Sequence, residues 1–160
     1  MDGETEGVNE APAAVFLPSN EGWTLISDNR FADMIADLWI KQTGDDLSVG
    51  MFCEKRHDNG TGTIHGGMIC TLADISLGKM IRLRRNRDQP PDAPGIASAT
   101  IQLDVNFCGR VGRGDFVYSK AIIKSMSRSL TFAQGELCVC DRTVAIMQGV
   151  YKVIDSRRGV

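Results

Sequence analysis

Net charge, histidine, aromatic residues and long apolar runs are all scarce in this chain of 160 residues. Lys and Arg number 18 against 20 Asp and Glu, a formal net charge of -2. Bulk electrostatics therefore makes no case for nucleic acid or an anionic membrane as a partner. No apolar run approaches the roughly 20 residues that a membrane-spanning helix needs. The N-terminus lacks the basic-then-apolar order of a secretory signal. Only His57 and His65 supply imidazole, and no Cys/His cluster has zinc spacing, so neither a metal nor a cofactor is expected. The five cysteines (Cys53, Cys70, Cys108, Cys138, Cys140) are an odd set without framework spacing. They read as reduced thiols of a cytoplasmic protein, with Cys138 and Cys140 on one face of a strand. Aromatic residues make up 6% of the chain, too few to separate aryl from aliphatic ligands.

What remains is ordinary globular material, 42% hydrophobic and 24% charged, and long enough for one domain with a real core. Residues 1–20 carry Asp2, Glu4, Glu6 and Glu10 without a basic residue, which predicts a disordered acidic tail. A single domain is expected over 21–155, followed by a polar tail over 156–160. Within the domain a short extended piece is expected over 22–25. Asp28 or Asn29 is placed to cap a short helix through Phe31, Met34 and Ile35, whose apolar residues would cover an edge of the core. Residues 37–42 and 47–55 read as strands around the turn at 43–46.

The chain is organised around residues 59–85. Gly60 and Gly62 open a loop that passes through His65-Gly66-Gly67 into a long helix. Met68, Ile69, Leu72, Ala73, Ile75, Leu77, Met80, Ile81 and Leu83 leave little room for a solvated face, the pattern of a buried helix. One polar stripe interrupts it: Gly67, Thr71, Asp74 and Gly78, stacked by spacings of three and four. A carboxylate on a buried helix must be paired, neutralised or in use, and Asp74 lies too deep to serve as a cap. The glycines allow close backbone approach, and the first N–H groups of the helix carry the positive end of its dipole. Donors at the helix start and the Asp74 carboxylate are the parts needed to bracket one reacting carbonyl. The helix ends in a basic cluster, Lys79, Arg82, Arg84 and Arg85 with Arg87 beyond. Those cations complement the dipole, and a phosphate-binding role is the alternative.

Beyond the breaker-rich segment 88–95, residues 96–107 alternate with period two. Ala97, Ala99, Ile101, Leu103, Val105 and Phe107 are apolar, and Ser98, Thr100, Gln102, Asp104 and Asn106 are polar. Three further strands, 116–126, 130–140 and 143–154, are joined by turns at 127–129 and Asp141-Arg142, an antiparallel meander. Two strands, a buried helix and four strands make an α+β design with helix and sheet in two layers.

That order, with Asn59-x5-His65-Gly66-Gly67-x6-Asp74 and Leu72-Ala73 before the aspartate, resembles the hotdog fold. More closely, residues 37–154 resemble the acyl-CoA thioesterases of the phenylacetate-pathway (PaaI) type. The resemblance implies a curled antiparallel sheet of about five to six strands around one long central helix. It also implies hydrolysis of an acyl-CoA to free acid and CoA. In that reading Asp74 is general base or nucleophile, the Gly66 N–H polarises the thioester oxygen, and Asn59 lies near the same oxygen. His65 sits beside the thioester, and Thr100 helps to hold the water. Gly67, and Ser98 on the same strand face as Thr100, join the substrate-binding set. Arg84, Arg85, Arg110, Arg113 and Arg128 qualify for CoA phosphates by charge alone. Such sites are shared across a homodimer that joins sheets edge to edge, with Asp74 from one subunit and Asn59 from the other, and dimers pair into tetramers. No serine or cysteine has an evident base partner, and His65 and Cys70 do not share a helix face. Two other classes remain open: a hotdog dehydratase or hydratase acting on acyl thioesters, and a non-catalytic acyl-CoA-binding module.

Overall fold

The computed structural model describes residues 16–27 and 30–154. Most of the expected acidic tail, the tail over 156–160, and the capping candidates Asp28 and Asn29 lie outside the described residues.

The strands are β1 (Thr24–Ile26), β2 (Leu38–Thr43), β3 (Asp46–Phe52), β4 (Ala97–Phe107), β5 (Phe116–Met126), β6 (Leu130–Val139) and β7 (Arg142–Ile154). Helix α1 spans Phe31–Ile35 and helix α2 spans Gly66–Asn86. All strand pairs are antiparallel in one sheet of order β1-β2-β3-β5-β6-β7-β4. The sheet curls around α2, as expected for a hotdog fold. It has seven strands rather than five or six, because the short piece at Thr24–Ile26 pairs with β2.

The core lies between α2 and the inner face of the sheet. Leu72, Leu77, Met80 and Ile81 meet Val49, Met51, Val117, Leu137 and Met147, all essentially inaccessible. At about 25 cal/mol per Å² of apolar surface, this contact is what keeps a 21-residue helix inside the sheet. Its polar stripe, Thr71, Asp74 and Gly78, is only partly buried.

Three expectations need correction. Residues 16–20 belong to the fold: Phe16 packs against Phe116 with ring centroids 5.0 Å apart, and Pro18–Glu21 forms a 3-10 turn. Helix α1 does not bury its apolar side chains, since Phe31 is 62% and Met34 77% exposed. The β6–β7 turn is centred on Cys140 and Asp141, at φ 46° and 62°, with Arg142 already in β7. That left-handed pair matches the twist of a two-residue hairpin. It also takes Cys140 out of the strand, so the exposed Cys140 and the buried Cys138 share no strand face.

The alternation in β4 is real but does not define a single face. Thr100 pairs with Tyr151 and Gln102 with Val150, so Ile101 is an extra residue, a β-bulge. Beyond the bulge Leu103, Val105 and Phe107 share the face of Gly149, Met147 and Ala145. Before it Ser98 and Thr100 take that place, opposite Val153 and Tyr151. The polar residues Ser98 and Thr100 therefore face α2, while Ile101 is 58% exposed.

Candidate active site

The approach to α2 is a loop built on its own side chains. The Asp58 carboxylate accepts from the Gly60 N–H, and the Arg113 guanidinium donates to it at 2.7 Å. The Gly60 donor first, and Arg113 further on, hold that carboxyl below its ordinary range. Asn59 accepts from the N–H and the hydroxyl of Thr61 and donates to Thr63 at 2.7 Å. His57 is buried. Its Nε2 donates to the Ile35 carbonyl and its Nδ1 accepts from the Glu54 N–H, a structural imidazole that pins the loop.

His65 is the N-cap of α2, its Nδ1 accepting from the Gly67 N–H at 2.9 Å. With that nitrogen unprotonated, the ring carries its proton on Nε2. His65 and Gly67 are exposed, and Gly66 is half-buried under the Phe107 ring. A Cβ on Gly66 would lie 3.2 Å from the tip of that ring. The Gly66 N–H stands in the first turn, where no intrahelical carbonyl is available to it. The loop that carries Asn59 thus leads into the helix start formed by His65, Gly66 and Gly67.

Asp74 lies eight residues further along α2, about 12 Å at 1.5 Å per residue. One chain therefore cannot set its own Gly66 N–H and its own Asp74 carboxylate on the same carbonyl. What meets Asp74 comes from the sheet. The Thr100 hydroxyl donates to Asp74 Oδ1 at 2.7 Å. The Tyr151 hydroxyl lies 3.0 Å from the same Oδ1 and 3.2 Å from the Asp74 carbonyl oxygen. Burial first, and the charge of Asp74 second, push the Tyr151 phenol well above its ordinary range, so it remains a donor. A cavity of about 300 Å³ opens at this group, lined among others by Asp74, Gly78, Lys79, Ser98, Thr100 and Tyr151. The bulge turns Thr100 and Ser98 toward α2, and of the two it is Thr100 that bonds Asp74.

Tyr151 was not among the expected residues. The available signal was a large polar-tipped ring ending the small and apolar series Ala145, Met147, Gly149 on the inner face of β7.

The arginines disperse. Arg85 bonds Thr131 and the carbonyls of Ser127 and Leu130, joining α2 to the β5–β6 turn. Arg110 donates to the Gly62 carbonyl and Arg113 binds Asp58, both bracing the loop that carries Asn59. Arg84 lies 3.9 Å from Asp45, which Arg87 also binds. A larger cavity of about 660 Å³ beside the C-terminal half of α2 is lined by Arg84, Arg87, Lys79 and Arg82, and the last two also border the Asp74 cavity. The Cys53 thiol is buried and pushed up to about 12, by burial and then by Asp115, which removes it as a thiolate nucleophile.

The sequence profile of the thioesterase superfamily matches residues 61–146, more than half of the chain and the whole span from the helix start into β7. The chain belongs to the thioesterase superfamily. This thioesterase-superfamily chain is 28% identical to a Pseudomonas aeruginosa protein, the candidate esterase PA0474, over 79% of its own length and 90% of the relative's. Its fold is that of the Escherichia coli PaaI protein from the phenylacetic acid degradation operon: TM-score 0.67, 19% identity, covering 79% and 86% of the two chains. The Bacillus halodurans protein BH2602, whose structure was solved with CoA, superimposes with TM-score 0.61 at 23% identity over 74% of each chain. Among the described residues no helix is long and apolar enough to cross a membrane.

Proposed function

We propose that this superfamily member is an acyl-CoA thioesterase in which Asp74 activates water and the helix start of a second subunit receives the thioester oxygen. The observation that carries the reading is the Asp74 carboxylate: set on a buried helix, held on Oδ1 by Thr100, and lining a cavity. Thioester hydrolysis needs a base for water and donors for the developing oxyanion, and these are the two halves the chain supplies about 12 Å apart. A dimer resolves the separation. β4 ends the sheet, is 11 residues long, and exposes Ala97, Ala99 and Ile101. Such an edge is a template for pairing with another chain. Pairing two copies about a two-fold axis gives two identical sites, each with Asp74, Thr100 and Ser98 from one subunit and Asn59, His65, Gly66 and Gly67 from the other. Dimers pairing further into tetramers fit the apolar Ile122 and Ile146 left half-exposed on the outer face of the sheet.

For the carrier, CoA is supported by the CoA-bound relative and by the cations Lys79, Arg82 and Arg84 beside the cavities. Arg85, Arg110 and Arg113 already hold the fold and the loop together, which leaves them less suited to phosphate.

The test is release of free CoA, followed by chromatography, from a panel of aliphatic and aryl acyl-CoAs. Asp74→Asn should lower kcat by about 10²–10⁴-fold in a protein that keeps its melting temperature. Unchanged turnover in that variant would remove Asp74 from the mechanism. Water added to an enoyl thioester without CoA release would move the protein to the hydratase class. Intact thioester in every case would leave a binding module.

A further inference from the structure

The Asp74 carboxylate is held unsymmetrically. Oδ1 takes both side-chain donors, Thr100 at 2.7 Å and Tyr151 at 3.0 Å, while Oδ2 has no hydrogen-bond partner among the described residues. The two donors differ in kind. Thr100 is an exposed hydroxyl on the edge strand. Tyr151 is 2% exposed on an interior strand, and its ring is wedged between Gly78 of α2 and Gly149 of its own strand. A Cβ on Gly149 would lie 2.8 Å from the Tyr151 ring, so the glycine makes the space the ring occupies. The phenol cannot leave without a rearrangement of the core.

We propose that Tyr151 is a positioning residue of the hydrolase: its fixed hydroxyl holds Oδ1 of Asp74 and directs the unpaired Oδ2 at the water. The inference rests on the thioesterase reading above for its kinetic consequence, but the coupling between Tyr151 and Asp74 is measurable without turnover. Removing one of the two Oδ1 donors loosens the carboxylate about its own side-chain torsion, so Oδ2 is aimed at the water in fewer of the conformers it samples.

The experiment compares wild type with Tyr151→Phe, which keeps the ring and deletes only the hydroxyl. The carbon-13 resonance of the Asp74 carboxyl at neutral pH, assigned with Asp74→Asn, should move in the variant, and kcat should fall about tenfold with KM nearly unchanged. A second perturbation has the opposite sign and leaves the fold intact. The chain has two tyrosines, Tyr118 and Tyr151, so biosynthetic 3-fluorotyrosine in a Tyr118→Phe background alters one phenol near Asp74. A more acidic phenol is a stronger donor, and the Asp74 carboxyl resonance should move the other way. A carboxyl resonance and a kcat unmoved by either change would overturn the proposal, as would loss of stability alone. Carboxyl shifts in both directions without any CoA release would keep the coupling and sink the hydrolase reading instead.

Discussion

Arg85 separates charge from function at the level of one residue. By composition it is one of several cations eligible for a phosphate. In the fold its guanidinium spans the Thr131 hydroxyl and the Ser127 and Leu130 carbonyls. Replacing it with Met keeps the stem and leaves buried Thr131 and the carbonyls short of donors, at a cost of about 1–3 kcal/mol. Urea denaturation should register that loss, while KM for the thioester stays within a factor of about two. A large rise in KM without a stability change would return Arg85 to the substrate. Asp74 is the opposite case. Its sequence context flagged it because a carboxylate on a buried helix demands an account, and the fold answers with two hydroxyl donors and an open side. Neither donor is near it in sequence: Thr100 is 26 residues away and Tyr151 is 77.

At the level of elements, the strand β4 and the glycines beside Tyr151 control what reaches Asp74. Regular alternation over 96–107 is a strong strand signal, yet alternation alone would put Thr100 on the face of Gln102. The bulge at Ile101 reverses the first half of the strand and turns Thr100 inward. Gly149 and Gly78 lie on either side of the Tyr151 ring but tolerate a methyl differently. At Gly149 the Cβ would also approach the Gln102 carbonyl at 3.2 Å and Leu77 at 3.3 Å, with no soft neighbour to yield. At Gly78 the nearest atom is the ring at 3.8 Å, ordinary contact. Gly149→Ala should therefore cost about 1–3 kcal/mol and lower kcat by displacing the phenol. Gly78→Ala, in a helix interior, should be neutral or stabilising by about 0.5–1 kcal/mol. Thermal unfolding and kcat of the two variants check this. Equal behaviour would contradict the packing argument.

The whole molecule decides whether the two half-sites ever meet. Each chain carries Asn59, His65 and Gly66 at one end of α2 and Asp74 two turns on, so the proposed site needs a second copy. Subunit mixing tests this without assuming a packing mode. Asn59→Ala and Asp74→Asn dimers should each be nearly inactive. Exchanged one to one, they should regain about a quarter of wild-type activity, because half the dimers are mixed and each mixed dimer holds one intact site. No recovery after confirmed exchange would place all the groups within one chain. Substituting the exposed Ile101 of β4 with Lys should shift sedimentation toward monomer and abolish turnover together, since like charges would face each other across the pairing edge.

The sequence by itself determined the elements and the order of the helix-start residues on which the proposed site rests. Period two and period 3.6 are written locally in residues 96–154 and 66–86. The loop-to-helix motif keeps Asn59, His65 and Gly66 close because they are close in the chain. It also determined that Asp74 needs an explanation, since the cost of burying a charge does not depend on knowing the fold. Only the tertiary structure decided who supplies that explanation. Tyr151 and the inward turn of Thr100 depend on strand register, a single bulge and the space left by Gly149, none of which alters local hydrophobic periodicity. The same holds for the arginines: charge is legible in a sequence, but whether a guanidinium is spent inside the fold or left for a ligand depends on which carbonyls the chain brings within about 3 Å of it.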